Sequence, residues 1–359
     1  MSDRNLSSKE VVVAVEHIMS KNKVAFLWGP PGIGKSDVVA SIGKKQNRPV
    51  IDLRMLLLEP TDIKGIPYFD TNEQVMKWAA PSELPKGTEF DKNAILFLDE
   101  LNAAPPSVQA AAYQLVLNRK VGEYVVPEGV SIIAAGNREN DRGVTYKMPS
   151  PLSNRLVHLE MEARFDDWFD WAVNSDVHAD VVGFLSTHKQ HLYNFDPRTS
   201  DKAFATPRSW SFVSDLMSDT LPTSMITSIV SGCVGEGVAI EFTQYRQITS
   251  KLPKPSDILS GKEKKLNVKE ISAHYSLTIS MCYELRDNRS LVTSDKLTND
   301  EWHEQVENFF KFMLENFSTE MIIMGAKLAL RDYKLPIDNK KVASFSTLCE
   351  KYGSYILQD

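Results

Sequence analysis

Eight consecutive residues, Gly29, Pro30, Pro31, Gly32, Ile33, Gly34, Lys35 and Ser36, fit the pattern G-x-x-x-x-G-K-[ST], directly after the apolar run Val24, Ala25, Phe26, Leu27, Trp28. Glycines let the backbone turn so that its N–H groups face phosphate oxygens, and a helix starting behind the loop presents its positive end. Lys35 is placed to reach β- and γ-phosphates, and Ser36 to ligate magnesium. A second apolar run, Ile95 to Leu98, ends in Asp99 and Glu100. In a parallel sheet the strand C-termini line the ligand crevice, so both carboxylates emerge beside the loop. Asp99 then holds magnesium through its water shell, and Glu100 polarises the attacking water as general base.

A third run ends in Ala134, Ala135, Gly136 and Asn137. The uncharged Asn137 amide can bond both the attacking water and a γ-phosphate. Arg155, after Pro151, Leu152, Ser153 and Asn154, and Arg208, in Thr206, Pro207, Arg208, Ser209, Trp210, complete the set. A guanidinium is always charged, so either arginine can serve as an arginine finger or as a lid sensor, with a surface salt bridge as the alternative for each.

These residues need a sheet to hold them. Short apolar runs at 24–28, 50–53, 94–98, 130–135 and 156–159, separated by stretches long enough for crossover helices, predict a doubly wound, parallel, five-stranded α/β sheet. Val11, Val12, Val15, Ile18 and Met19 predict a helix leading into it. The stretch between the second and third runs exceeds one crossover and carries Gly65, Pro67, Pro81, Pro85 and Gly87, so an insertion is expected at about 54–92. Within it, residues 64–69 read as a flexible, apolar and aromatic loop.

From residue 164 onward helical periodicity replaces the strand pattern, starting with Trp168, Trp171 and Ala172. Residues 251–265 read as an exposed basic linker. Thr298 followed by Glu301 has capping-box spacing, ahead of a helical stripe of Trp302, Val306, Phe309, Phe310, Met313 and Phe317 that reads as core packing.

At 359 residues, 42% hydrophobic and 25% charged, the chain suits two or three ordinary globular domains. A net charge of -6 makes nucleic acid an unlikely partner. Cys233, Cys282 and Cys349 lack metal-ligand spacing and read as free thiols of a reducing compartment. With a polar start and no run long enough to span a bilayer, a cytoplasmic protein without membrane insertion is expected.

Taken together, residues 8–250 resemble the AAA+ ATPase superfamily and, more narrowly, are similar to the MoxR-like ATPases, which include the CbbQ and NorQ activases. In that resemblance residues 29–36 are Walker A, 95–100 Walker B, Asn137 sensor 1, Arg155 the arginine finger and Arg208 sensor 2. Residues 58–67, Asp99 to Ala103, and a short hairpin at 118–127 resemble the narrower group, where an insertion in helix 2 faces a ring pore. The resemblance implies ATP and Mg2+ as ligands. It also implies a P-loop core over 1–163 and a helical lid over 164–250, whereas the helical extension expected over 251–359 departs from the short family pattern and is unassigned. A homo-oligomer, a hexameric ring, is implied, in which Arg155 completes the neighbour's site. The work implied is remodelling of a protein client, commonly recruited through a partner with a von Willebrand factor A domain. The alternative is a nucleic-acid motor or translocase subunit on the same core; the acidic charge, the lack of a helix-turn-helix or zinc module and the insertion favour the remodeller.

Overall fold

The computed structural model describes residues 5–138, 141, 146–199, 201–218 and 220–357. Two compact units result: one runs up to Arg164 and includes a short stretch from Asp196, and the other holds the remaining residues from Phe165 onward.

In the first unit the central strands are β1 (Asn5–Leu6), β2 (Val24–Trp28) and β3 (Val50–Arg54). A hairpin of β4 (Ile66–Asp70) and β5 (Val75–Ala79) follows, then β6 (Ile95–Asp99). A second hairpin, β7 (Lys120–Val121) with β8 (Tyr124–Val125), precedes β9 (Ser131–Gly136) and β10 (Leu156–Met161). The helices are α1 (Ser8–Ser20), α2 (Lys35–Lys45), α3 (Pro60–Lys64), α4 (Pro106–Asn118) and α5 (Ser150–Ser153).

The sheet order is β1-β10-β2-β9-β6-β3, and every pairing is parallel. The sheet therefore has six strands, not five. The extra one, β1, is a two-residue edge strand, too short for any hydrophobic period to announce it. Continuous apolar strands follow from cover on both faces. Val24, Phe26, Leu96, Leu98 and Ala134 share a core with Val108, Ala112 and Leu115 of α4. Ala25, Leu27, Ile95, Phe97 and Ile133 point the other way and are equally buried, with α1 and α2 lying against the sheet. Parallel pairing brings the C-terminal ends of β2, β6, β9 and β10 to one edge.

The insertion differs from the expected flexible loop. Lys64 ends α3, Gly65 turns the chain with φ +92°, and residues 66–70 form β4. A Cβ at Gly65 would lie 2.0 Å from the Ala79 carbonyl oxygen, so glycine is what lets the two hairpin arms close. The short hairpin expected over 118–127 is present as β7–β8.

The second unit is helical: α6 (Phe165–Asn174), α7 (Ala179–Thr187), α8 (Pro207–Leu216), α9 (Thr223–Val234) and α10 (Glu236–Thr249). It continues with α11 (Pro255–Leu259), α12 (Ile271–Thr293), α13 (Asn299–Asn316), α14 (Thr319–Lys327) and α15 (Ala343–Leu357). Residues 164–250 and 251–359, expected separately as lid and extension, share one hydrophobic core from Trp168 through Trp210 and Trp302 to Ile356. The basic stretch 251–265 is not a free linker: α11 interrupts it and plugs Ile258 and Leu259 into that core. Thr298 and Glu301 do form a capping box on α13, and the Trp302 stripe is core. Cys282 lies fully buried and Cys349 exposed, both as free thiols.

Candidate nucleotide-binding site

The loop between β2 and α2 is built from its glycines. Gly32 and Gly34 both take positive φ, 76° and 92°, and Gly34 is the N-cap of α2, so the first helical residues are Lys35 and Ser36. Orphan N–H groups of that first turn face the loop interior. Lys35 Nζ donates to Gly29 O at 2.6 Å, Pro30 O at 3.0 Å and Asn137 Oδ1 at 2.9 Å. Its ammonium is thus folded onto the loop and held there by oxygen acceptors. Ser36 Oγ donates to Asp99 Oδ2 at 3.1 Å, which joins α2 to the end of β6.

Asp99 Oδ1 accepts from the backbone N–H of Glu100 at 2.9 Å. Glu100 itself has φ 56° and ψ 33°, a left-handed conformation costing a non-glycine residue about 1 kcal/mol or more. Such strain at the end of a ligand-edge strand turns the chain sharply, so Asp99 and Glu100 leave the strand in different directions. A hydroxyl and a carboxylate converging half-buried are the hard oxygen donors that suit Mg2+, which keeps several of its waters. The residues present therefore fit the expected metal.

Asn137 is held from behind by a residue that the sequence reading treated only as a family mark. Asn102 is 1% exposed, and its Nδ2 donates to Asn137 O at 2.7 Å. Gly136 must be glycine here, because a Cβ would sit 2.1 Å from Asn102 Oδ1 and 2.8 Å from Phe26 Cζ. Asp52 and Arg54 were also missed. Parallel register sets Arg54 beside Asp99 and Asp52 beside Phe97, on one face of the sheet. Asp52 is solvent-exposed, yet desolvation by the groups around it and then the charge of Asp99 push its carboxyl above its ordinary value, while Arg54 pulls it down. The one sequence signal was a charged residue inside an apolar strand.

Within the first unit, Arg155 and Arg138 make their contacts with other residues. Arg155 is exposed after α5, donates to Pro151 O at 3.2 Å, and lies over the Tyr113 ring at 6.0 Å. Of the two other arginines after Asn137 that could serve as the finger in place of Arg155, Arg138 is ion-paired with Glu160 at 2.8 Å, and Arg142 lies outside the described residues. Arg208, in the helical unit, is exposed in the first turn of α8, behind a capping box of Thr206 and Ser209.

Residues 25–156 match the model of the AAA domain, dynein-related subfamily. The chain is 25% identical over 215 residues to an uncharacterized protein of Staphylococcus saprophyticus, covering 56% of this chain and 79% of that one. Among solved structures it is similar to a Cytophaga hutchinsonii protein assigned as an ATPase, with 11% identity, 91% and 81% coverage and a TM-score of 0.37. It is also similar to the RuvB Holliday junction branch migration motor of Thermotoga maritima, with 15% identity, 86% coverage of each chain and a TM-score of 0.36. No helix of the described residues is long and apolar enough to cross a membrane. Sheet order, phosphate-loop geometry and the match to the domain model agree: residues 25–156 match an AAA domain and have the parallel-sheet fold of a P-loop AAA+ nucleotide-binding unit.

Proposed function

We propose that this chain binds MgATP at the loop of residues 29–36, hydrolyses it, and works as a MoxR-like ring that remodels a protein client. The observation carrying the proposal is a pair of hydrogen bonds at the C-terminal edge of the sheet, from the consecutive residues Lys35 and Ser36 to Asn137 and Asp99 at the ends of β9 and β6. When ATP enters, Lys35 exchanges carbonyl and amide oxygens for phosphate oxygens. Ser36 and Asp99 hold Mg2+, which supplies charge neutralisation to the phosphates. Glu100 takes the proton of the attacking water, and Asn137 orients that water.

Arg155 acts in trans. Its exposure and its contacts with Pro151 and Tyr113 suit a group presented to a neighbouring subunit rather than one engaged with its own loop. Arg208 serves as the lid sensor. A cation in the first turn of a helix faces the positive end of the dipole, an unfavourable placement that a phosphate beside it relieves. The β4–β5 hairpin offers the client an apolar grip: Tyr68 is 46%, Phe69 52% and Met76 59% exposed. A two-stranded ribbon with little packed on it suits a surface waiting for a partner.

Mixing inactive Arg155→Ala and Lys35→Ala subunits tests the ring directly. Where an intact pocket meets an intact neighbouring finger, turnover returns. If mixed assemblies form and stay inactive, the ring reading of Arg155 is wrong.

A further inference from the structure

His158 on β10 joins two segments that chemistry must keep in step. Trp28, the last residue before the phosphate loop, donates its Nε1–H to His158 Nδ1 at 2.8 Å. An indole N–H can only donate, so Nδ1 accepts and the ring proton sits on Nε2. Nε2 then donates to Ser153 O at 2.8 Å, with Ser153 Oγ also nearby at 3.3 Å. The two rings stack with centroids 5.9 Å apart and 24° between planes. Tautomer and ring orientation are therefore fixed from the β2 side, and the bond to Ser153 is delivered with a set direction.

Ser153 is the last residue of α5, two positions before Arg155. A short helix leaves its final carbonyls without intrahelical partners, and His158 satisfies one of them. Beneath α5 the chain is not packed solid. A cleft of about 520 Å³ opens there, lined by Trp28, Asn102, Tyr146, Ser153, Asn154 and His158 among others. Leu152 anchors α5 in the core, fully buried, and Met148 and Leu156 on either side of it join the same cluster. The Trp28–His158–Ser153 chain adds a polar attachment at the C-terminal end of α5, the end from which Arg155 leaves.

We infer that His158 is a positioning residue for the trans-acting Arg155, setting the angle at which α5 presents the guanidinium to the neighbouring subunit. This rests on the trans reading of Arg155. A misplacement of about 1 Å at a charged catalytic contact costs about a hundredfold, and a finger is worth a thousandfold or more in turnover. Loss of the His158 bonds should cost between tenfold and a hundredfold.

The experiment places His158→Phe, which keeps an aromatic ring and loses both hydrogen bonds, in one partner of the complementing pair at a time. In the Lys35→Ala subunit, which donates the finger, it should lower the restored turnover about tenfold or more. In the Arg155→Ala subunit, which supplies the pocket, turnover should stay within about twofold. A general folding defect would not respect that division, and a fluorescent ATP analogue should bind the Arg155→Ala, His158→Phe subunit as tightly as Arg155→Ala alone. Equal losses in both placements, or a loss confined to the pocket subunit, overturn the inference while leaving the finger intact. A parent pair that forms mixed assemblies without complementing overturns both.

Discussion

Lys35 Nζ and Asn137 Oδ1, 102 residues apart in sequence, lie 2.9 Å apart at the edge of the sheet. The bond ties the phosphate loop to the end of β9. Its neutral acceptor matters, because a carboxylate in its place would turn an ammonium–amide bond into a full ion pair that phosphate must compete with. Asn137→Asp should therefore weaken ATP binding about tenfold by holding Lys35 as an ion pair, whereas Asn137→Ala should leave affinity near normal and lower turnover. Titrating a fluorescent ATP analogue against both variants separates the effects; equal affinity for Asp and Asn would mean that the contact plays no part in binding.

Two glycines give opposite signs on substitution. Gly136→Ala drives a methyl group into Asn102 and Phe26 and should destabilise the first unit by about 1–3 kcal/mol. Gly232 lies within α9 with nothing within 4 Å of an added Cβ, and Gly232→Ala should stabilise by about 0.5–1 kcal/mol. Urea denaturation monitored by circular dichroism reads both, and a stabilising Gly136→Ala would show that the Asn102 packing is wrong.

How much of this was visible in the sequence follows from what each signal requires. The phosphate loop, the Asp99–Glu100 strand end and Asn137 were legible because their chemistry needs fixed residue types next to runs of buried strand. The capping box at Thr298 and Glu301 was legible because it is local. Asn102, Asp52 and His158 were not. Their meaning lies in parallel register and in contacts across up to 130 residues, such as Trp28 to His158. The β4–β5 hairpin was hidden for another reason. Both its faces are largely exposed, so it carries no buried alternation for a period-2 reading to catch. Likewise α11 hid inside a basic stretch, since only Ile258 and Leu259 of it reach the core.

The hairpin should be separable from the ATPase. Tyr68 pairs across to Lys77 and Phe69 to Met76, with Lys77 held by Asp70 and Glu73 at the tip. Replacing Tyr68 and Phe69 with Ala removes exposed apolar surface and should change stability by no more than about 0.5 kcal/mol per site. Basal ATP turnover should persist while client remodelling is lost. Should the double variant unfold, the two rings are structural after all.

Asp52 predicts a pH effect whose sign can be worked out. Its carboxyl is raised in the folded chain by local desolvation and by Asp99, so the folded state holds that proton more tightly than the unfolded one. The stability it contributes is present at acid pH and is lost as pH rises through the raised value. At neutral pH the ionised group opposes folding. Asp52→Asn should then be more stable than the parent at pH 7, with the difference shrinking toward zero below the carboxylate range. Thermal unfolding from pH 4 to pH 8 measures this, and a gap that widens on acidification would reverse the assignment.

The central claim, that the loop of residues 29–36 binds ATP and Glu100 drives its hydrolysis, is tested most directly by one paired titration with turnover. A fluorescent ATP analogue is titrated with Mg2+ against Lys35→Ala and Glu100→Gln, and phosphate release is followed on the same samples. Glu100→Gln should bind as the parent does and release phosphate at least a hundredfold more slowly, as expected for a lost general base. Lys35→Ala should bind too weakly to saturate. Equal binding by both variants, or parental phosphate release from Glu100→Gln, would contradict the account.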